Sequence, residues 1–114
     1  MVKSYKDLKV YQKAFDLMME IFYLVKEWPR EERYNLTDQI LRSSRSVCGN
    51  VAEAWRRRRY KNVFTHQLDE AGGSATETQV WLDVALACKY IEQDRHQLLY
   101  NGYDEVGKML TGMT

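Results

Sequence analysis

The sequence predicts an all-α fold, an antiparallel up-down-up-down bundle of four helices forming one domain over residues 1–114. Apolar residues recur at 3/4 spacing in four successive segments, the signature of helices that bury one face. Turn punctuation is sparse: one proline (Pro29) and six glycines cannot supply the breaks that an all-β domain needs roughly every 8–12 residues. The connections between the four segments are short, which favours antiparallel neighbours. A hydrophobic fraction of 45% with 12% aromatics is enough for one packed core and argues against disorder.

Ser4, followed three residues later by Asp7, has the form of a capping box, so the first helix is expected to begin there and to end at Trp28-Pro29. Its apolar residues fall on two stripes. Leu8, Tyr11, Phe15, Met18, Phe22 and Val25 make one; Val10, Ala14, Leu17, Ile21, Leu24 and Trp28 make the other, about 100° around the axis. An apolar face this wide exceeds what one core requires. It implies a second burial surface, either another subunit or a wide core, and the second stripe, centred on Leu17 and Ile21, is the one expected to meet another subunit.

Thr37 can cap the second helix, whose inward positions read Ile40, Ser43 or Ser44, Val47, Val51 and Ala54. Its small residues, Ser43 to Gly49 among them, let a neighbouring helix approach closely, while Asn50 and Glu53 need partners if buried. The third helix runs from Lys61 to about Lys89, with Phe64, Leu68, Ala71, Ala75, Leu82 and Ala85 on one stripe and Trp81, Val84, Cys88 and Ile91 on another. Gly72 and Gly73 each cost up to about 1 kcal/mol in a helix interior, which implies close packing or a bend there. The fourth helix follows Asp94 and carries Leu99, Tyr103, Val106, Leu110 and Met113 at 4/3/4/3 spacing.

Several chemistries lack their residues. A carboxylate-bridged metal centre in a bundle needs Glu-x-x-His motifs, and there are none; the two histidines are His66 and His96, and the nearest chelating pair, His66 with Glu70, reads as a surface or packed histidine. Cys48 and Cys88 have no metal or redox spacing and read as core thiols in a reducing compartment. No glycine-rich phosphate loop follows a strand. No window is apolar enough to span a membrane, and the N-terminus has no apolar export segment. A cytoplasmic protein that is not an enzyme, uses no cofactor and touches no membrane is therefore expected.

The net charge is only +1, yet Arg42 to Lys61 holds seven of the 17 basic residues and one of the 16 acidic ones. Within it stands WRRRRYK, Trp55 to Lys61, with Arg45 upstream. Four consecutive arginines cannot share one helix face. Arg56, Arg57, Arg58, Arg59 and Lys61 can fork onto phosphates while Trp55 or Tyr60 stacks on bases. They can equally be a solvated helix end whose cations complement the C-terminal dipole.

The segment QILRSSRSVCGNVAEA, Gln39 to Ala54, resembles a motif of the bacterial four-helix-bundle proteins encoded in intervening sequences of 23S ribosomal RNA genes, with Gln39, Ile40, Arg42, Ser46, Asn50, Ala52 and Glu53 at matching positions. YKDLKVYQKAFDLMMEIF, the Pro29 loop with Glu32 before Leu36-Thr37, and Gly73, Ser74 and Glu77 agree as well, so the resemblance covers nearly the whole chain. Two positions depart from it. Cys48 replaces a proline and Ala54 a glycine, so the second helix is expected to carry the arginines outward on a stiff arm. The resemblance implies a homo-oligomer, a pentamer by analogy. Through the distantly similar accessory proteins of diversity-generating retroelements, it also implies RNA and a reverse transcriptase or another ribonucleoprotein as partners. A protein scaffold that binds no nucleic acid is the alternative. The motif residues Gln39, Arg42, Ser46, Asn50, Glu53, Ser74 and Glu77 can form a binding site, but are expected rather to act as interhelical hydrogen bonds that fix register, with Arg42 and Glu77 the candidates for one buried network.

Overall fold

Four helices, α1 (Lys9–Leu24), α2 (Leu36–Arg56), α3 (Lys61–Ala87) and α4 (Gln93–Met113), account for most of the chain in the computed structural model, which describes all residues from Met1 to Thr114. Each helix packs on its sequence neighbours and α1 also packs on α4, which closes the antiparallel bundle. The molecule measures 44 × 25 × 20 Å. No helix is long and apolar enough to cross a membrane.

The capping box is present but sits one step ahead of α1. Ser4 Oγ accepts from the Lys6 amide at 3.2 Å, and the Asp7 carboxylate accepts from the Ser4 and Lys3 amides at 3.2 and 2.8 Å. These bonds close a 3-10 turn, Tyr5–Asp7, and the extended backbone of Leu8 separates it from the α-helix. At the other end α1 tightens into a 3-10 turn, Val25–Glu27, and stops at Trp28, which the following proline holds extended. Thr37 does not cap α2: the helix begins at Leu36, whose amide is taken by Glu32 Oε1 at 3.2 Å.

The two stripes of α1 are exchanged relative to expectation. Val10, Ala14, Leu17, Ile21, Leu24 and Trp28 are buried in the subunit core, whereas Phe15 is 41% exposed and Tyr11, Met18 and Phe22 are half-buried. The reason is steric. The aliphatic stripe contains Ala14 and lies against Gly102 of α4, where an added Cβ would stand 2.5 Å from Leu17 Cδ2. Helices approach most closely where side chains are smallest, so the bulky aromatic stripe turns outward. Of that stripe only the two end residues, Leu8 and Val25, are buried.

The inward positions of α2 are buried as expected, Ser43 and Ser44 both included. Thr78 of α3 donates to Ser43 Oγ at 2.8 Å, so the small-residue seam between α2 and α3 satisfies its own hydroxyls. α3 runs unbroken through Gly72 and Gly73, and an added Cβ at either would meet nothing within 4 Å. Close packing inside the chain therefore does not explain them. α3 ends in a Schellman turn: Lys89 takes φ 66°, its amide bonds Leu86 O, and the Tyr90 amide bonds Ala85 O, both at 2.9 Å. Cys88 lies at this end and is exposed, contrary to the core thiol expected there. Cys48 is buried, and burial pushes its thiol up to about 11. In α4, Leu99, Tyr103, Val106 and Leu110 are buried.

Candidate nucleic-acid interface

The basic segment divides between a helix and a turn. Of the four arginines only Arg56 is helical; Arg57 caps α2 through amide bonds to Glu53 O and Ala54 O, and α3 starts at Lys61, after Tyr60, whose extended backbone accepts from the Phe64 amide. The arginines thus do not ride outward on a stiffened α2. They are gathered in a loop at one end of the bundle.

Arg56, Arg57, Arg58, Arg59, Tyr60 and Lys61 are all exposed, and Trp55 is half-buried. Arg57 Nη1 donates to Gln67 Oε1 at 3.2 Å. Arg58 folds back on Trp55, donating to its carbonyl at 2.8 Å with the guanidinium 4.1 Å from the indole centroid. Arg59 lies 5.8 Å from the Tyr60 ring. No carboxylate forms an ion pair with any of these cations, so their charge is not neutralised within the chain. An open cleft of about 740 Å³ is lined by Arg56 to Tyr60. Arg45 is exposed on α2 but stands apart, about 16 Å along the helix axis from Arg56.

Four of the motif residues converge behind this loop. Ser46 and Ser74 share a hydrogen bond of 2.8 Å between α2 and α3, and Asn50 Nδ2 donates to Ser46 O and Oγ. The centre of the network is Gln67, a residue the sequence reading passed over. Its amide donates to Asn50 Oδ1 and to Glu53 Oε2, and its carbonyl accepts from Arg57. Gln67, Ala71, Ser74 and Thr78 repeat at 4/3/4 along the α3 face that meets α2, a periodicity that could have found it.

The other three stand outside. Gln39 is exposed, Arg42 pairs with Asp38 at 3.0 Å within α2, and Glu77 accepts from Trp81 at 3.1 Å within α3. The expected buried network joining Arg42 to Glu77 does not form, because both side chains point away from the α2–α3 seam. His66 is exposed, 3.7 Å from Glu70. His96 is buried against Tyr100, with Nε2 2.7 Å from Asp83.

A family model described as 23S rRNA-intervening sequence protein matches residues 6–112, a span that takes in both the polar network and the basic turn. Among solved structures, the chain is similar to a protein of unknown function from the S23 ribosomal protein family of Bacteroides thetaiotaomicron VPI-5482. The two align with a TM-score of 0.82 and 28% identity over 91% of this chain and 93% of that one. No curated protein sequence matches.

Proposed function

The chain belongs to the 23S rRNA-intervening sequence protein family, and from that premise we propose that it is a non-enzymatic, homo-oligomeric subunit that binds RNA through the turn between α2 and α3. The observation that carries this reading is the cluster Arg56, Arg57, Arg58, Arg59 and Lys61, gathered at one end of the bundle with no carboxylate paired to it. Planar guanidinium groups unpaired with carboxylates suit phosphates, and the adjoining Trp55 and Tyr60 suit bases. Two surfaces support assembly. The outward stripe of α1 is only partly covered within the chain, with Phe15 at its centre 41% exposed. Between α3 and α4, Gly72 and Gly107 line an open groove where a partner helix can come close. By resemblance the assembly is a pentamer, serving a reverse transcriptase or another ribonucleoprotein.

Cyclic assembly would repeat the basic turn at one end of a ring, strengthening its pull on a polyanion by summed field and multivalency. The test is binding to a structured RNA across a salt series, for wild type and for a variant with Arg56 to Arg59 all changed to Ser, at matched oligomeric mass. The wild-type log K should fall with log salt by about 0.7 to 0.9 per phosphate neutralised. The variant should bind more weakly with a shallower slope. Equal affinity and slope would remove the turn from the interface. A wild type that ignores RNA at low salt would favour a scaffold that docks another protein.

A further inference from the structure

Beside the arginine loop, a second groove of about 490 Å³ opens between the N-terminal turn and the last turns of α2. Its volume lies in the range of small-molecule sites, roughly 300–1,000 Å³. The residues that give it chemical character are Lys3, Tyr5, Glu53, Trp55, Arg56 and Arg58. Building on the RNA-binding reading, we propose that this groove seats one unpaired guanine nucleotide of the bound strand.

Stacking comes first. Tyr5 is fixed edge-on against Tyr11, at 4.9 Å and 77°, and Trp55 packs on the core with Arg58 already laid over its face. Two held aromatic walls and a guanidinium plane form a platform that a base can extend without ordering new side chains. The Lys3 amide is pinned by Asp7, and Lys3 and Arg56 line the groove as cations suited to phosphate.

The unexpected member is Glu53. A carboxylate repels phosphate and can only accept hydrogen bonds, so its presence among Arg56, Arg57 and Arg58 is out of place for backbone binding. It makes no ion pair with them. Gln67 takes one site on Oε2, and Gln67 is itself held by Asn50 and Arg57, which leaves Oε1 and the second site of Oε2 with no protein donor. Guanine is the base that answers this. Its N1–H and 2-amino group are two adjacent donors with no acceptor between them, whereas the uracil N3–H lies between two carbonyls, and adenine and cytosine set an acceptor nitrogen beside their amino group. Pairing in a duplex consumes that edge, so the base must be unpaired.

The experiment measures fluorescence anisotropy of labelled uridine hexamers carrying G, A, C, inosine or U at one central position, on the full chain. The G hexamer should bind about tenfold more tightly than those with A, C or U. Inosine, which lacks the 2-amino group, should lose several-fold without any change to the protein. Glu53→Gln should remove most of the preference while leaving the salt slope unchanged, and Tyr5→Ala should weaken every hexamer. Equal binding of all five hexamers with a steep salt slope would overturn the guanine site and leave the RNA surface standing. No binding to hexamers or to structured RNA would overturn both.

Discussion

Gly102 decides how near α1 can come to α4, because a methyl group there would press on Leu17 at 2.5 Å. Replacing it with alanine recovers about 1 kcal/mol of helix propensity but overpacks a closed site at a cost of about 1–3 kcal/mol. Gly102→Ala should therefore lower stability by about 1 kcal/mol in urea unfolding, the difference between those terms. In a Leu17→Ala background the same replacement should be neutral or stabilising, a reversal that only direct contact produces. Such contacts are invisible to periodicity, which marks the buried face of a helix but not the residue that sets its depth. The same blindness hid Gln67: a glutamine on an inward stripe looks like an error in the pattern until Asn50, Glu53 and Arg57 are seen around it. Arg42 and Glu77 show the converse, since charges that matched a family motif turned out to be paired inside their own helices.

Whole elements were the most legible. α3 and α4 lie within two residues of their expected bounds, and α2 begins one residue before the expected cap, because stripes of four or more apolar residues leave little freedom in where a helix starts. α1 is shorter at both ends than the spacing predicts, because the 3-10 turns that flank it continue the apolar pattern, and it is rotated from expectation, since both of its stripes are apolar and the sequence holds no record of Gly102 opposite. The elements also share a titration behaviour. Tyr90, after α3, donates to Glu32, before α2, at 2.8 Å, and this bond first, then burial, pushes its phenol up to about 12. Burial likewise raises Cys48, to about 11, and raises Tyr11 and Tyr103. For each, the unfolded chain loses its proton at a lower pH than the native one. Their stabilising contribution is complete below about pH 9, where the thiol of the unfolded chain starts to ionise. It is then lost progressively as pH rises to about 12. Denaturant midpoints followed from pH 8 to 11 should be flat at first and then fall. Tyr103→Phe should lessen that fall, and because the Tyr103 hydroxyl is buried without a partner it should also leave neutral-pH stability equal or higher.

At the scale of the molecule, the exchange of stripes redirects the test of assembly. Leu17 and Ile21 are core residues, so glutamate at either should unfold the chain, leaving a charge where nothing can solvate it. The surface to alter is the outward one. Phe15→Glu combined with Phe22→Glu should reduce the mass seen by light scattering to the 13.5 kDa of one chain while helical circular dichroism persists. An unchanged multiple of that mass would place the subunit contacts elsewhere, with the groove at Gly72 and Gly107 the next surface to close by substitution.

The basic turn lies at one end of a body 44 Å long, the same end as the N-terminal turn and the last turn of α4. A net charge of +1 says nothing about this, but the electric dipole moment does. Charge separated along the long axis lets the molecule present a cationic pole to a negatively charged resin even where its total charge has fallen to zero or below. Retention on a cation exchanger should then outlast the isoelectric point, with each molecule standing on its arginine end.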